Sequence, residues 1–325
     1  MCADTATTPR RTRARWATLI ALAATVVVLA TGCAPTGSAS QTVTPTNAQL
    51  YPKLANYPDI EVVENVQYGT AADGQPLYLD VCLPNTNEAD AAALKPRASV
   101  VSIHGGSWAR GDKSNINWRS VCQWLADEGY VAVSVGYRLA PESVFPAGID
   151  DVQAAVRWLR EGAQVKKYNL NPDLVGAFGG SAGGNLAALL GTEGAGDLAS
   201  GARVAAVAEL SGPVDLTDDG RKLGGLSDDF EQVQLDYLGC ASLAVCPTAR
   251  AASPLYQVDD TDPPFFVGHS IDERIPVEQS EAFVEELREH SVETEFVTVE
   301  GSSHSIAMLD ADMRDRIAEF FAIHL

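Results

Sequence analysis

Gly179-Gly180-Ser181-Ala182-Gly183-Gly184 follows an apolar run, Leu174-Val175-Gly176-Ala177-Phe178, and precedes a helix-forming run, Asn185-Leu186-Ala187-Ala188-Leu189-Leu190. A strand that passes through G-x-S-x-G into a helix must turn very tightly, in the form called a nucleophile elbow. Side chains two residues either side of the serine would collide with the neighbouring strand and helix, and Gly179 and Gly183 remove them. The turn predicts that the Ser181 hydroxyl stands clear of a sheet at a helix N-terminus, where free N–H groups favour developing negative charge. No lysine follows in Walker spacing, which argues against a phosphate-binding loop. A glycine-rich turn alone is also compatible with plain chain reversal, so its setting decides.

Ala98-Ser99-Val100-Val101-Ser102-Ile103 reads as a buried strand running into His104-Gly105-Gly106-Ser107-Trp108. This loop lies upstream of the elbow, where N–H donors for a tetrahedral oxyanion belong. Glycines let the backbone come close to a reacting atom. The oxyanion donors are therefore expected from Gly105, Gly106 and Ala182, with His104 shaping the loop.

A base and an acid should follow Ser181 in the order serine, acid, histidine. His304 sits just past the alternating strand at residues 294–299, on a loop at a strand's C-terminal end, and is the expected general base. His290 reads as a helix-end residue, His324 as a fraying terminal one, and His269 as shaping the loop that carries the acid. Asp272 is the expected acid, able to hold the imidazole tautomer and stabilise its charged form. Glu273 is its nearest rival; Glu300 and Asp262 are weaker alternatives.

Strands and helices alternate along the chain, which implies a mostly parallel sheet covered on both faces. Strands are expected near residues 61–68, 77–83, 98–103, 131–136, 174–178, 204–210, 264–268 and 294–299, the first two as an antiparallel edge. The apolar stripe Ile149, Val152, Ala155, Val156 and Leu159 marks a one-faced helix over 147–161. Residues 215–250 form an insertion with a helix at 228–238, read as a partial cap over the site or as a surface excursion.

The N-terminus reads as a targeting segment over residues 1–32. Arg10, Arg11, Arg13 and Arg15 precede an apolar core at 16–30, too short for a membrane span of about 20 apolar residues. Leu29-Ala30-Thr31-Gly32-Cys33 is similar to a bacterial lipobox, with its leucine one position early. It predicts cleavage before Cys33, lipidation there and anchoring to the outer face of the cell membrane, with ordinary secretion as the alternative. Residues 33–50 read as a flexible tether, and 51–325 as the enzyme-like domain. The formal net charge of −20 argues against nucleic acid and against electrostatic attraction to anionic lipid. Cys82, Cys122, Cys240 and Cys246 remain after processing. Four cysteines permit three pairings; the short loop favours Cys240–Cys246, which leaves Cys82–Cys122. Their spacing lacks the close pairs of a zinc site.

Beyond the elbow, Tyr137-Arg138-Leu139-Ala140-Pro141-Glu142, Phe145-Pro146-Ala147, Asp150-Asp151, Ser253-Pro254-Leu255 and Asp262-Pro263-Pro264-Phe265 resemble segments of the α/β-hydrolase superfamily. The resemblance is to its hormone-sensitive-lipase and feruloyl-esterase-like (BD-FAE-type) carboxylesterases, and runs from about Val62 to the C-terminus. That group commonly carries three glycines after the loop histidine; here Ser107-Trp108 replace the third. The resemblance implies an α/β-hydrolase fold and a Ser181–His304–Asp272 triad. It also implies hydrolysis of short-chain, aryl or acetyl esters, free or linked to polysaccharide, with no metal or organic cofactor. A formamidase-like amidase and a catalytically silent binding protein are the alternatives.

Overall fold

The computed structural model describes residues 50–85 and 95–325. The targeting segment, Cys33 and residues 34–49 of the tether lie outside the described residues. Eight strands form one sheet in the order β1-β2-β4-β3-β5-β6-β7-β8. β1 (Glu61–Thr70) and β2 (Pro76–Leu83) pair antiparallel, and β2 joins β4 (Val131–Val135) the same way. From β4 through β3 (Arg97–Ile103), β5 (Leu170–Gly180), β6 (Ala206–Leu210), β7 (Phe265–Ser270) and β8 (Thr294–Val299) every pairing is parallel.

The central parallel strands are mostly apolar because both faces are covered, and consecutive residues serve opposite faces, whereas the edge strand β8 alternates polar and apolar residues and is half-exposed. Val101, Ala177 and Phe265 face one cluster with Ile149, Val152 and Val156 of α2 (Ala147–Leu159). Leu186 of α4 (Ala182–Thr192) and Phe283 of α6 (Val277–Glu289) complete that layer. Val100, Phe178 and Phe266 face the other cluster, with Trp118 and Trp124 of α1 (Ile116–Asp127) and Ile317 and Phe321 of α7 (Ala311–His324). The expected stripe on α2 is the buried one.

Three features differ from the sequence reading. A short helix, α3 (Gly162–Tyr168), follows α2, and β5 begins four residues early because Leu170 pairs with Arg97. His324 does not fray: its ring packs 4.8 Å from that of Phe320 and lies 3.7 Å from Glu293. The insertion does carry its helix, α5 (Asp228–Leu238), capped by the Ser227 hydroxyl accepting from the Phe230 N–H and ended by Gly239 at φ 67°. Tyr237 of α5 stacks on Trp108, with ring centroids 4.2 Å apart and planes 6° from parallel. Cys82 is bonded to Cys122 and Cys240 to Cys246, with Cα separations of 5.9 and 5.5 Å, inside the normal span of a disulfide. Among the described residues no helix is long and apolar enough to cross a membrane.

The antiparallel edge is fastened by charge. Asp80 on β2 is 1% exposed and accepts from Lys113 Nζ at 2.6 Å, Arg119 Nη2 at 2.9 Å and the Asn65 N–H at 2.8 Å. Removing one member of a buried pair leaves the other uncompensated, which costs far more than the pair contributes. Asp80→Ala is therefore expected to lower unfolding free energy by about 3–5 kcal/mol. Glu64→Gln, which loses only an exposed contact to Arg119, should cost under about 1 kcal/mol. Urea denaturation of the two variants measures the difference, and equal losses would contradict this account.

Candidate active site

Ser181 sits between β5 and α4 at φ 58° and ψ −125°, a conformation L-residues rarely adopt. The turn is held by the Ser181 N–H donating to Leu210 O at 2.8 Å and the Asn185 N–H donating to Ser181 O at 3.0 Å. Its glycines are required by contact. A Cβ on Gly179 would lie 2.1 Å from Gly183 O, and one on Gly183 would lie 2.1 Å from Ile103 O. α4 therefore starts directly against the end of β3.

That approach brings the β3 loop to the serine. A Cβ on Gly105 would stand 2.7 Å from Gly180 O and 3.2 Å from Ser181 Cβ. Among the described residues, the N–H groups of Gly105 and Gly106 have no protein acceptor, and Ala182 opens a helix, where amides lack intrahelical partners. Gly105 and Gly106 line the same cavity as Ser181, and Ala182 follows Ser181 directly in the chain. His104 is 1% exposed, stacks on Tyr137 at 4.3 Å and donates from Nδ1 to Gly105 O at 2.9 Å. Burial lowers its pKa, and its place is that of a loop brace. Ser107 and Trp108, where the resembled group has a third glycine, both take left-handed backbone, at φ 58° and 54°. The stack of Tyr237 on Trp108 packs the insertion's helix against that turn.

His304 follows β8 on a loop pinned to the elbow. Ser305 fills the space left by Gly180, where a Cβ would meet Ser305 Oγ at 2.1 Å, and the Ser305 N–H donates to Ser211 Oγ at 3.2 Å. The carboxylate that meets His304 is not the expected Asp272. His304 Nδ1 is hydrogen-bonded to Glu273 Oε2, not to Asp272. The loops after β7 and β8 are laced together. The Ile271 N–H donates to Val299 O and the Asp272 N–H to Gly301 O, both at 2.9 Å, and Ser270 Oγ donates to Ser303 O at 2.6 Å. Asp272 belongs to that lacing, and the residue is exposed. The chain then turns, and the Glu273 carboxylate is fully buried. Of the other acids weighed, Asp262 is committed to Arg203 at 3.2 Å.

Glu273 is ionised by its neighbours. Burial alone would raise its pKa, but the hydrogen bonds and charges of His269 and His304 overcome that and hold it at about 2. A carboxylate only accepts, so His304 Nδ1 is the donor of this pair, and in the neutral ring Nε2 is then the nitrogen with the lone pair. His269 shapes the acid's turn as expected. Its Nε2 lies 2.8 Å from Ile275 O and 3.0 Å from Glu273 Oε1, and its Nδ1 lies 2.7 Å from Ser280 Oγ. Ser181 and His304 line one cavity of about 370 Å³, with Tyr51, Arg110, Asn117, Trp118, Arg274 and Ile306 among its walls. A larger depression of about 650 Å³ lies beyond His104 and Gly111 and is lined by neither Ser181 nor His304. The smaller cavity is the one that Ser181 and His304 share.

Behind the elbow lies a residue that sequence reading passed over. Glu209 on β6 is fully buried and accepts from the Gly212 N–H at 2.8 Å. Burial raises its pKa to about 7; His269 and that amide oppose the rise, and Glu273 adds to it. Between about pH 4.5 and about pH 7 the unfolded chain ionises this group while the folded one keeps its proton, so stability falls as pH rises through that window. Glu209→Gln removes the effect. The melting temperature of the variant relative to the parent is expected to rise between about pH 4.5 and about pH 7, and a constant difference would refute it.

The BD-FAE family model matches residues 79–287, more than half of the chain. Esterase LipC of Mycobacterium tuberculosis is 33% identical over 242 residues, covering 71% of this chain and 58% of that protein. Neutral cholesterol ester hydrolase 1 of Rattus norvegicus is 43% identical over 98 residues, 30% of this chain and 24% of its own length. The chain thus spans at most little more than half the length of these relatives. Among solved structures, a truncated carbohydrate esterase from gut microbiota superposes with a TM-score of 0.66 at 22% identity, covering 84% of this chain and 97% of that one. Esterase Est2 of Thermogutta terrifontis gives 0.62 at 23% identity, covering 83% and 94%. These likenesses are to the α/β-hydrolase fold. The elbow, the glycine loop and the histidine–carboxylate pair stand on a chain that belongs to the BD-FAE family of α/β-hydrolases.

Proposed function

We propose that this protein is a serine carboxylesterase in which Ser181 is the nucleophile, His304 the general base and Glu273 the acid. The observation that carries the reading is the shared cavity: Ser181, His304 and the loop residues Gly105 and Gly106, whose amides have no protein acceptor among the described residues, line one space. His304 Nε2 takes the Ser181 proton as Oγ attacks the ester carbonyl, and Glu273 stabilises the resulting imidazolium. The amides of Gly105, Gly106 and Ala182 hold the oxyanion. His304 then protonates the leaving alcohol, and water activated by the same imidazole hydrolyses the acyl-enzyme.

The cavity's modest volume favours short acyl or aryl esters over long chains. LipC and Est2 are named as esterases, and that naming supports ester rather than amide substrates for this chain. We further propose export and anchoring through a lipid on Cys33; the two disulfides suit an oxidising compartment.

Hydrolysis of a p-nitrophenyl ester series, acetate through palmitate, tests the enzyme reading. Activity should peak at short chains, and Ser181→Ala should lose at least about 10³-fold in kcat with its fold intact. Glu273→Gln should lose about 10²–10⁴-fold, and Asp272→Asn far less. Full activity in Ser181→Ala would end the assignment, and the opposite order of the two acid variants would return the acid to Asp272. For the anchor, Cys33→Ser should move the expressed protein from the membrane to the soluble fraction; retention on the membrane would refute it.

A further inference from the structure

The chain carries 43 acidic residues against 23 lysines and arginines, yet the cavity around Ser181 has the reverse character. Two arginines, Arg110 and Arg274, line it, and no aspartate or glutamate does. Glu273, which meets His304, is fully buried and engaged with His304 and His269. Arg119, Arg138, Arg203 and Arg221 are each held by carboxylates. Among the described residues the guanidinium groups of Arg110 and Arg274 have no ion pair or hydrogen bond.

The two arginines come from the two catalytic loops. Arg110 closes the turn of the oxyanion loop, its N–H donating to Gly106 O at 3.1 Å. Arg274 directly follows Glu273 on the acid's turn. The same cavity is lined by Asn115, which caps α1, and by Asn117, whose Oδ1 accepts from the Tyr51 N–H at 2.7 Å. Asn115, Asn117 and Trp118 bring the N-terminal turn of α1, with its partial positive charge, to the same space.

A protein of this net charge repels anions, and that repulsion must be overcome locally if an anion is to reach the serine. Unpaired guanidinium groups add little to the binding of a neutral ester. They are well suited to a carboxylate or phosphate, which guanidinium groups bind with charge-assisted hydrogen bonds. We propose, resting on the esterase reading above, that the preferred substrate is an ester bearing a negatively charged group, held by Arg110 and Arg274 while Ser181 attacks the carbonyl. The anion belongs either to the acyl part, as in a dicarboxylic monoester, or to the alcohol part, as in an acylated hydroxy acid.

Two matched substrate pairs test this with the full chain. 4-Nitrophenyl hydrogen adipate against methyl 4-nitrophenyl adipate places the charge on the acyl side. 4-Acetoxybenzoate against 4-acetoxybenzamide places it on the alcohol side. In one pair the anionic member should be favoured in kcat/KM by about tenfold or more, chiefly through KM, and that pair identifies the side. The preference should shrink in about 0.5 M salt and fall towards unity in the double variant Arg110→Gln/Arg274→Gln. Equal kcat/KM within both pairs, with turnover that Ser181→Ala abolishes, would overturn the anionic substrate and leave the esterase standing. A double variant that loses equally on both members of a pair would also overturn it, assigning the arginines to structure. No turnover of any of the four esters by folded protein would remove both readings.

Discussion

The site depends on one close backbone contact, where the first turn of α4 lies against the end of β3. With the contact that Gly183 makes on Ile103 O, no side chain of any size fits between them. The same approach seats Gly105 beside Ser181, so the proposed nucleophile and the glycine loop proposed to hold the oxyanion are located by a single packing event. A catalytic arrangement needs its parts held within fractions of an ångström. Here that precision comes from backbone against backbone, which has fewer ways to relax than side-chain packing. The cost is visible in Ser181, Ser107, Trp108 and Ser305, all non-glycine residues in left-handed backbone, each held by tertiary contacts.

A second constraint is electrostatic and sorts two buried carboxylates. Glu273 faces two imidazoles and stays ionised to about pH 2. Glu209 has one amide and the same His269 for company, and burial wins, raising it to about 7. One lies near the end of β6 and the other on the turn after β7, yet one is a fixed charge and the other is poised near neutrality. Environment, not residue type, decides which role each takes.

What could be read from the sequence was what the backbone demands locally. The elbow announced itself because Gly179 and Gly183 have no alternative there, and the β3 loop because Gly105 and Gly106 must approach the serine. Apolar runs five or six residues long marked the covered strands, and the stripe on α2 marked its buried face. The errors fell where distant contacts decide. Asp272 and Glu273 are adjacent, and which one turns inward is set by hydrogen bonds to Val299, Gly301 and Ser303, some thirty residues away. His324 looked like a loose end because its partners, Phe320 and Glu293, had not yet been brought together. α3 is a single polar stretch with only Tyr168 buried, too short to show a period. Arg110 and Arg274 had no sequence signal, since the property that singles them out is the absence of carboxylates around them in space.

The lacing of the acid and base loops has a further consequence. The register between β7 and β8 continues past the strand ends through Ile271, Asp272 and Ser270. The imidazole and its carboxylate are thus coordinates on a shared ladder, and their meeting point follows the rungs rather than the residue count. A loop built this way can gain or lose a residue beyond the last rung and still deliver a carboxylate, provided the side chain that arrives has the reach. Glutamate, one methylene longer than aspartate, supplies such reach. The spacing from strand to acid is therefore a loose variable in this architecture, and the ladder is the invariant one.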